Sequence, residues 1–235
     1  MKIVRSICLL NLILVLCAGP ARAEGKWGIS ILANYEFPVF TLNQWFPSGG
    51  AELGGALIRT VNDKWAVEVE GSWSKYSDGD LNTREFLWSV DGQTYSSPSA
   101  QSEMEWTTGV VNWVRSFNAE GVGPGKGGKA AYMMLGTGFF RYTNKISGLI
   151  FPGQSRTPLD TSVLLRPVND KRTSLGLNLG LGYQFFTGSS VALDVRGQYS
   201  VVMGHVRPLE AWGLQEAFPF QKFDLGARLK FYFAN

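Results

Sequence analysis

Residues Lys222 to Phe233 read K-F-D-L-G-A-R-L-K-F-Y-F. Phe223, Leu225, Ala227, Leu229, Phe231 and Phe233 alternate with Asp224, Gly226, Arg228, Lys230 and Tyr232. A β-strand sends successive side chains to opposite faces, so the stretch has one unbroken apolar face and one charged face. On a helix the same residues scatter around the axis, and Gly226 weakens it. The stretch is therefore read as a strand with lipid or protein on one side and a polar, confined space on the other.

The two stretches before it repeat the pattern. Leu175, Leu177, Leu179, Leu181, Tyr183 and Phe185 alternate with Gly176, Asn178, Gly180, Gly182 and Gln184. After a turn at Thr187-Gly188-Ser189, Val191, Leu193, Val195, Tyr199 and Val201 face away from Ala192, Asp194, Arg196, Gln198 and Ser200. At the other end of the chain, Trp27 to Phe37 sets Trp27, Ile29, Ile31, Ala33, Tyr35 and Phe37 opposite Gly28, Ser30, Leu32, Asn34 and Glu36. A second strand over about Ala51 to Val61 and a third over Trp65 to Tyr76 flank the tight turn Asn62-Asp63-Lys64. The third strand places Glu68 and Glu70 opposite Trp65, Val67, Val69 and Trp73. A fourth, about Met104 to Phe117, leaves its facing open, since Trp106, Val110 and Val114 compete with Gly109, Val111 and Trp113. A fifth, Ala130 to Thr143, puts Gly136 and Gly138 on the confined face.

These are eight strands, each long enough to cross a tilted bilayer. The connections 38–49, 77–103, 144–172 and 204–220 are long, and those between are generally shorter, although the Gly-rich turn at 118–129 is longer than the pattern asks. Phe86-Leu87-Trp88 inside the second long connection suggests a hairpin extending beyond the sheet. The fold expected is all-β: an eight-stranded antiparallel up-and-down transmembrane β-barrel. Glycine and charge share the inward face, while Trp27, Trp65 and Phe185 mark one end of the strands and Tyr35, Trp73, Tyr199 and Phe223 the other. Two aromatic girdles around an aliphatic band suit the two interfaces of a membrane. A soluble ligand-binding barrel would instead turn its bulky apolar face inward. Counted from the short-turn end, Glu68, Asp194 and Lys230 share one inward level, and Glu70, Arg196 and Arg228 the next, so an ion network is expected across the lumen. Asp224 lies higher, facing Gln198 or water.

The order of Asp224, Gly226, Leu229 and Phe231, with the terminal aromatic Phe233, resembles the closing strand of bacterial outer-membrane β-barrels, with the departure that Ala234 and Asn235 follow. Leu175 to Val201 is similar to the small barrels of the outer membrane protein A, outer membrane protein X and opacity-protein type. The resemblance implies both chain ends in the periplasm and recognition of the last strand by the barrel-assembly machinery. It also implies contact with outer-membrane lipid and lipopolysaccharide, and a monomer whose loops meet an extracellular ligand. No peptidoglycan-binding domain is expected after the barrel, so that anchoring role has no room here.

The chain has 235 residues, 22 Lys and Arg against 19 Asp and Glu, for a formal charge of +3. Lys2, Arg5 and Arg22 lie in the first 23 residues, which hold no acid, so the remainder is neutral and gives no basic surface for nucleic acid. Met1 to Ala23 reads as a secretory signal peptide: a charged start, an apolar run from Ile7 to Ala18, and Ala21-Arg22-Ala23 before the cut. The domains expected are the signal at 1–23 and the outer-membrane barrel at 24–235. Cys8 and Cys17 leave with the signal, and Leu16 before Cys17 is too large for lipoprotein processing. Disulfides and cysteine chemistry are excluded for the mature chain.

Candidate chemical motifs read as ordinary structure. Gly121-Val122-Gly123-Pro124-Gly125-Lys126 is one residue short of a phosphate loop and precedes a strand. His205 is the sole histidine; Arg207 stands where a lipid A deacylase would carry its serine, so a loop histidine is expected. Asp78-Gly79-Asp80 offers too few oxygens for calcium, and one His without Cys makes no zinc site. No catalytic residue, cofactor or metal is expected. The function read here is a structural or surface-interaction barrel with a plugged lumen; a lipid A-modifying enzyme and a narrow solute conduit are the alternatives. The mature protein is expected to begin at Glu24, and N-terminal sequencing of the outer-membrane fraction checks this; a lipid-modified Cys17 would contradict it.

Overall fold

The computed structural model describes residues 27–77, 79–117, 128–187 and 190–233. The signal peptide, the Glu24 terminus, Asp78, the turn at Gly121 to Lys126, Gly188-Ser189 and the terminal Ala234 and Asn235 lie outside the described residues. Ten strands form: β1 (Trp27–Val39), β2 (Gly50–Thr60), β3 (Trp65–Tyr76), β4 (Glu85–Trp88), β5 (Gln93–Ser96), β6 (Gln101–Ser116), β7 (Lys129–Ser147), β8 (Val168–Phe186), β9 (Val191–Val202) and β10 (Phe220–Tyr232). Eight of them close an antiparallel barrel in the order β1-β10-β9-β8-β7-β6-β3-β2, while β4 and β5 pair with each other as a hairpin above it. Each barrel strand pairs with the next barrel strand along the chain, β3 passing to β6 over the β4–β5 hairpin, and the closing pair is β1 with β10, in register from Gly28↔Tyr232 to Val39↔Gln221. Phe233 N–H donates to the Trp27 carbonyl at 2.8 Å, which brings both ends to the short-turn side.

The outer face is an apolar belt. Ile31, Leu53, Leu135, Leu177, Leu179, Leu181 and Leu225 each expose about half or more of their surface. From Trp27 to Phe37 a strand rises about 33 Å, or about 25 Å along the axis at a tilt of roughly 40°. At the short-turn end Arg59 sits over the Trp27 ring at 5.3 Å and Arg115 over the Trp65 ring at 5.4 Å, each pair directly across a ladder.

The structure resolves the facing of the fourth barrel strand, β6. Met104, Trp106, Val110 and Val114 point inward and are buried, and Val111 and Trp113 point out. Both faces are apolar because the inside of the barrel is itself apolar at this level. β7 and β8 run further than expected, pairing out to Ile146↔Val168. Residues 168–174 of β8 carry no apolar outward face, so the alternation that marks a strand against lipid is missing there although the ladder continues.

The interior has two apolar cores. A small one at the short-turn end joins Ile58, Ala66, Val114, Tyr132, Met134 and Tyr232. A large one begins inside the barrel with Tyr76, Met104, Trp106, Phe140, Tyr142 and Phe220 and continues into the long loops. Trp106 lies 5.4 Å from Tyr142 and 5.4 Å from Phe220, ring centre to ring centre. The loops supply Leu42 and Trp45 from a one-turn helix (α1, Thr41–Trp45), Phe86 and Trp88 from β4, and Trp212. Hydrogen bonds tie loop to loop: Trp45 Nε1 donates to the Gln215 carbonyl at 3.1 Å, Arg84 to that of Gln44 at 2.6 Å, and Trp88 Nε1 to that of Pro152 at 3.1 Å. Gly92, in the left-handed region at φ 72°, lets the β4–β5 hairpin turn back. Trp106→Ala is expected to destabilise the barrel by about 3–5 kcal/mol, read from urea unfolding of the refolded protein, because the cavity opens in the middle of this core.

Candidate functional site

The inward faces of β3, β9 and β10 bring together six of the seven ionic residues expected across the lumen. Arg196 reaches Glu68 at 2.6 Å, and Lys230 reaches Glu68 at 2.8 Å and Asp194 at 2.6 Å. Arg228 pairs with Glu70, with a second contact from Nη2 at 3.3 Å. Tyr132, from β7, completes the group: its hydroxyl donates to Asp194 at 2.7 Å and accepts from Arg196 Nε at 2.7 Å. Asn112 donates to Glu70 at 3.3 Å and accepts from Asn178 at 2.9 Å. Three acids and three bases, all at least 96% buried, make this level electrically neutral.

Asp224, the seventh, stands apart from them. Its near cation is Lys222 at 3.7 Å, which also pairs with Glu36. Glu36 further accepts from the Ser74 hydroxyl at 2.6 Å, and Glu52 from Asn34 at 2.6 Å. Asp224 stands across the β9–β10 ladder from Gln198, as expected, and also belongs to a second ionic group built on Glu36, Glu52, Asp224 and Lys222. The facing of these residues follows from the alternation. Their meeting does not, because it depends on the stagger of β1, β2 and β10. The Lys222 ammonium also lies 5.7 Å from the Trp106 ring and 5.9 Å from Phe140, which joins this group to the apolar core above.

The residues of the assembly signal divide between faces. Asp224 and Gly226 point into the lumen, where Gly226 lies close against the backbone of Ala33 and Asn34 and leaves no room for a side chain. Leu229 and Phe233 are exposed on the outside, and Phe231 is partly so. Of the girdles, Trp27, Trp65 and Phe185 sit exposed at the short-turn end, and Tyr35, Trp73 and Phe223 are exposed toward the long loops, with Tyr199 half-buried beside Phe223.

His205 is held by Arg172, whose guanidinium lies 2.6 Å from Nε2, and by two backbone bonds to the Tyr142 hydroxyl at 3.1 Å. Outside the barrel wall at the long-loop end, a polar cleft of about 890 Å³ opens among Ser48, Asp80, Asn82, Glu103, Lys145 and Asn169. Glu103 there binds Lys75 at 2.5 Å and Lys145 at 2.7 Å, and those hydrogen bonds hold its carboxyl below the usual carboxylate range.

Removing Arg228 alone leaves Glu70 buried with only Asn112 and the more distant Arg196, at 3.7 Å, and leaves the network one cation short. Arg228→Met is expected to cost about 3–5 kcal/mol, and Arg228→Met with Glu70→Met much less. Urea midpoints of the two single variants and the double give the coupling through a double-mutant cycle.

No family model and no curated protein sequence matches the chain. Among solved structures, it is similar to a major outer membrane protein of Thermus thermophilus, at TM-score 0.50 and 10% identity, over 88% of this chain and 99% of that one. It is also similar to Neisserial surface protein A, at TM-score 0.47 and 12% identity, over 88% and 97% of the two chains. The attachment invasion locus protein of Yersinia pestis matches at TM-score 0.46 and 16% identity, over 89% and 99%. The chain thus has the fold of the small outer-membrane barrels, a closed antiparallel meander of eight strands.

Proposed function

We propose that this protein spans the outer membrane of a Gram-negative envelope as a barrel without a channel, and that it acts at the cell surface through its folded loops rather than by transport or catalysis. The observation that carries the reading is the large apolar core, which runs without a break from the lumen at Trp106 and Phe220 into the loops at Trp45, Trp88 and Trp212. Water and ions have no favourable path through closely packed rings, and the neutral ion network below presents a second barrier.

The apolar belt and its cation–π pairs suit a bilayer. All four long loops then face outward, the termini face the periplasm, and the lipid partners are phospholipid and lipopolysaccharide. Loops fixed to one another before any partner arrives lose little entropy on binding, which favours a recognition surface. The extracellular ligand is proposed to meet this cap, where the cleft beside Asp80 and Asn169 offers a concave surface. His205, engaged by Arg172, serves the cap as a structural residue.

The purified barrel in planar bilayers at neutral pH is expected to show no steady conductance. A stable open level would overturn the reading, as would a change in lipid A acyl chains that depends on the protein and is abolished by His205→Ala.

A further inference from the structure

We propose that Glu36, Glu52 and Asp224 form a cation site of calcium chemistry that ties the first strand of the barrel to the last. One carboxylate oxygen from each lies within 4.8 Å of the other two, and the three residues are 0%, 4% and 2% exposed. Calcium takes oxygens at about 2.3–2.6 Å, so two of its ligands stand up to roughly 5 Å apart.

The charge count points the same way. The lower group holds three acids and three bases, whereas Lys222 is the one cation in ion-pair contact with this upper group among the described residues. With all three carboxylates ionised, two negative charges are left over in a buried space, where an uncompensated charge is costly. Glu36 and Asp224 also stand directly opposite each other across the β1–β10 ladder, a placement that repels when both are charged. A divalent ion removes both problems and leaves Lys222 paired with the remaining carboxylate charge.

Independent of the acids, a buried neutral oxygen stands at the group without a partner. Gln198, 7% exposed, faces Asp224 across the β9–β10 ladder on the same inward face, and its Oε1 accepts no hydrogen bond. The Tyr76 hydroxyl, fully buried beside Glu36, adds a second neutral oxygen, and Asp224 Oδ1 accepts no hydrogen bond. Carboxylates with neutral oxygens, and no imidazole or thiolate, are the donor set of calcium rather than zinc. The three carboxylates are buried in the closed barrel, two of them across its closing ladder, so the ion enters before the β1–β10 seam zips.

The test is refolding of the mature barrel into detergent free of lipopolysaccharide, in millimolar calcium or in chelator, followed by gel filtration, elemental analysis and thermal unfolding. Barrels folded in calcium are expected to retain one calcium each and to unfold several degrees higher than those folded in chelator. Glu52→Gln and Asp224→Asn are expected to lose both the ion and the shift, and Glu103→Gln, at the outward-facing end of β6, to keep them. A barrel folded in calcium that holds no metal and unfolds at the chelator temperature would overturn the proposal. So would a calcium content unchanged in both amide variants, which marks a surface ion. If neither amide variant folds, terbium decides with the wild type. Emission sensitised by Tyr76 and Trp106, saturating at one ion and reversed by calcium present during refolding, supports the site, and its absence refutes it.

Discussion

Closing eight strands leaves an interior only as wide as the side chains that fill it, and the other features of this barrel follow from that confinement. At several levels, bulk sent inward by one strand is met by glycine on its neighbour. β7 brings Tyr132 and Met134 inward, and β8 meets them with Gly182 and Gly180 directly across the ladder. A Cβ at Gly180 would stand 2.9 Å from Met134 Cγ, and one at Gly176 2.6 Å from the Phe140 ring. The run of leucine and glycine in Leu175 to Gly182 is therefore two requirements written on alternate residues: bulk toward the outside, absence of bulk toward the inside. The same confinement forces charges to meet, because an inward carboxylate at Glu68 has no solvent to face, only Arg196 and Lys230.

How far the sequence can be read follows from which surroundings impose a period of two. Along the apolar belt they do, so the barrel strands, their inward and outward faces and the inward position of each lumen charge are visible in the residues themselves. Four things are not. β6 is apolar on both faces, since Trp106 and Val110 enter a core while Val111 and Trp113 join the belt. β7 and β8 continue past the belt, where Asp170, Lys171 and Arg172 give no alternation for a reader to follow. The loop core takes Trp45 and Trp212 from polar segments with no period, whereas Phe86 and Trp88 alternate along β4 and mark its hairpin. The grouping of Glu36 with Asp224 and Glu52 is hidden for a further reason, because it depends on strand stagger rather than on any one strand.

The loop core also changes what holds the molecule together. A barrel in a bilayer gains little from burying its outer face, since lipid is as apolar as leucine. A water-facing cap gains from burial in the ordinary way. Here the cap and the upper lumen share one core, so the hydrophobic effect acting on Trp45, Trp88 and Trp212 is transmitted to Trp106, Tyr142 and Phe220 inside the wall. The loops are in that sense part of the barrel's stability, and the four connections hold one another through Gln215, Gln44 and Pro152 carbonyls rather than moving independently.

Charge is distributed unevenly along the same interior. The lower network draws its acids from β3 and β9 and its bases from β9 and β10, so it binds the last strands to the far wall. The upper group sits on β1, β2 and β10, across the one ladder that forms only when the meander closes. A neutral group at that ladder would favour closure from the start, whereas an acidic one opposes it until a positive charge arrives. Lys222 supplies one such charge from β10 itself, which ties its pairing with Glu36 to the closure of the seam. The remaining excess of acid makes completion of the barrel sensitive to what else is bound there, so the step that seals the wall is the step with an electrostatic condition attached.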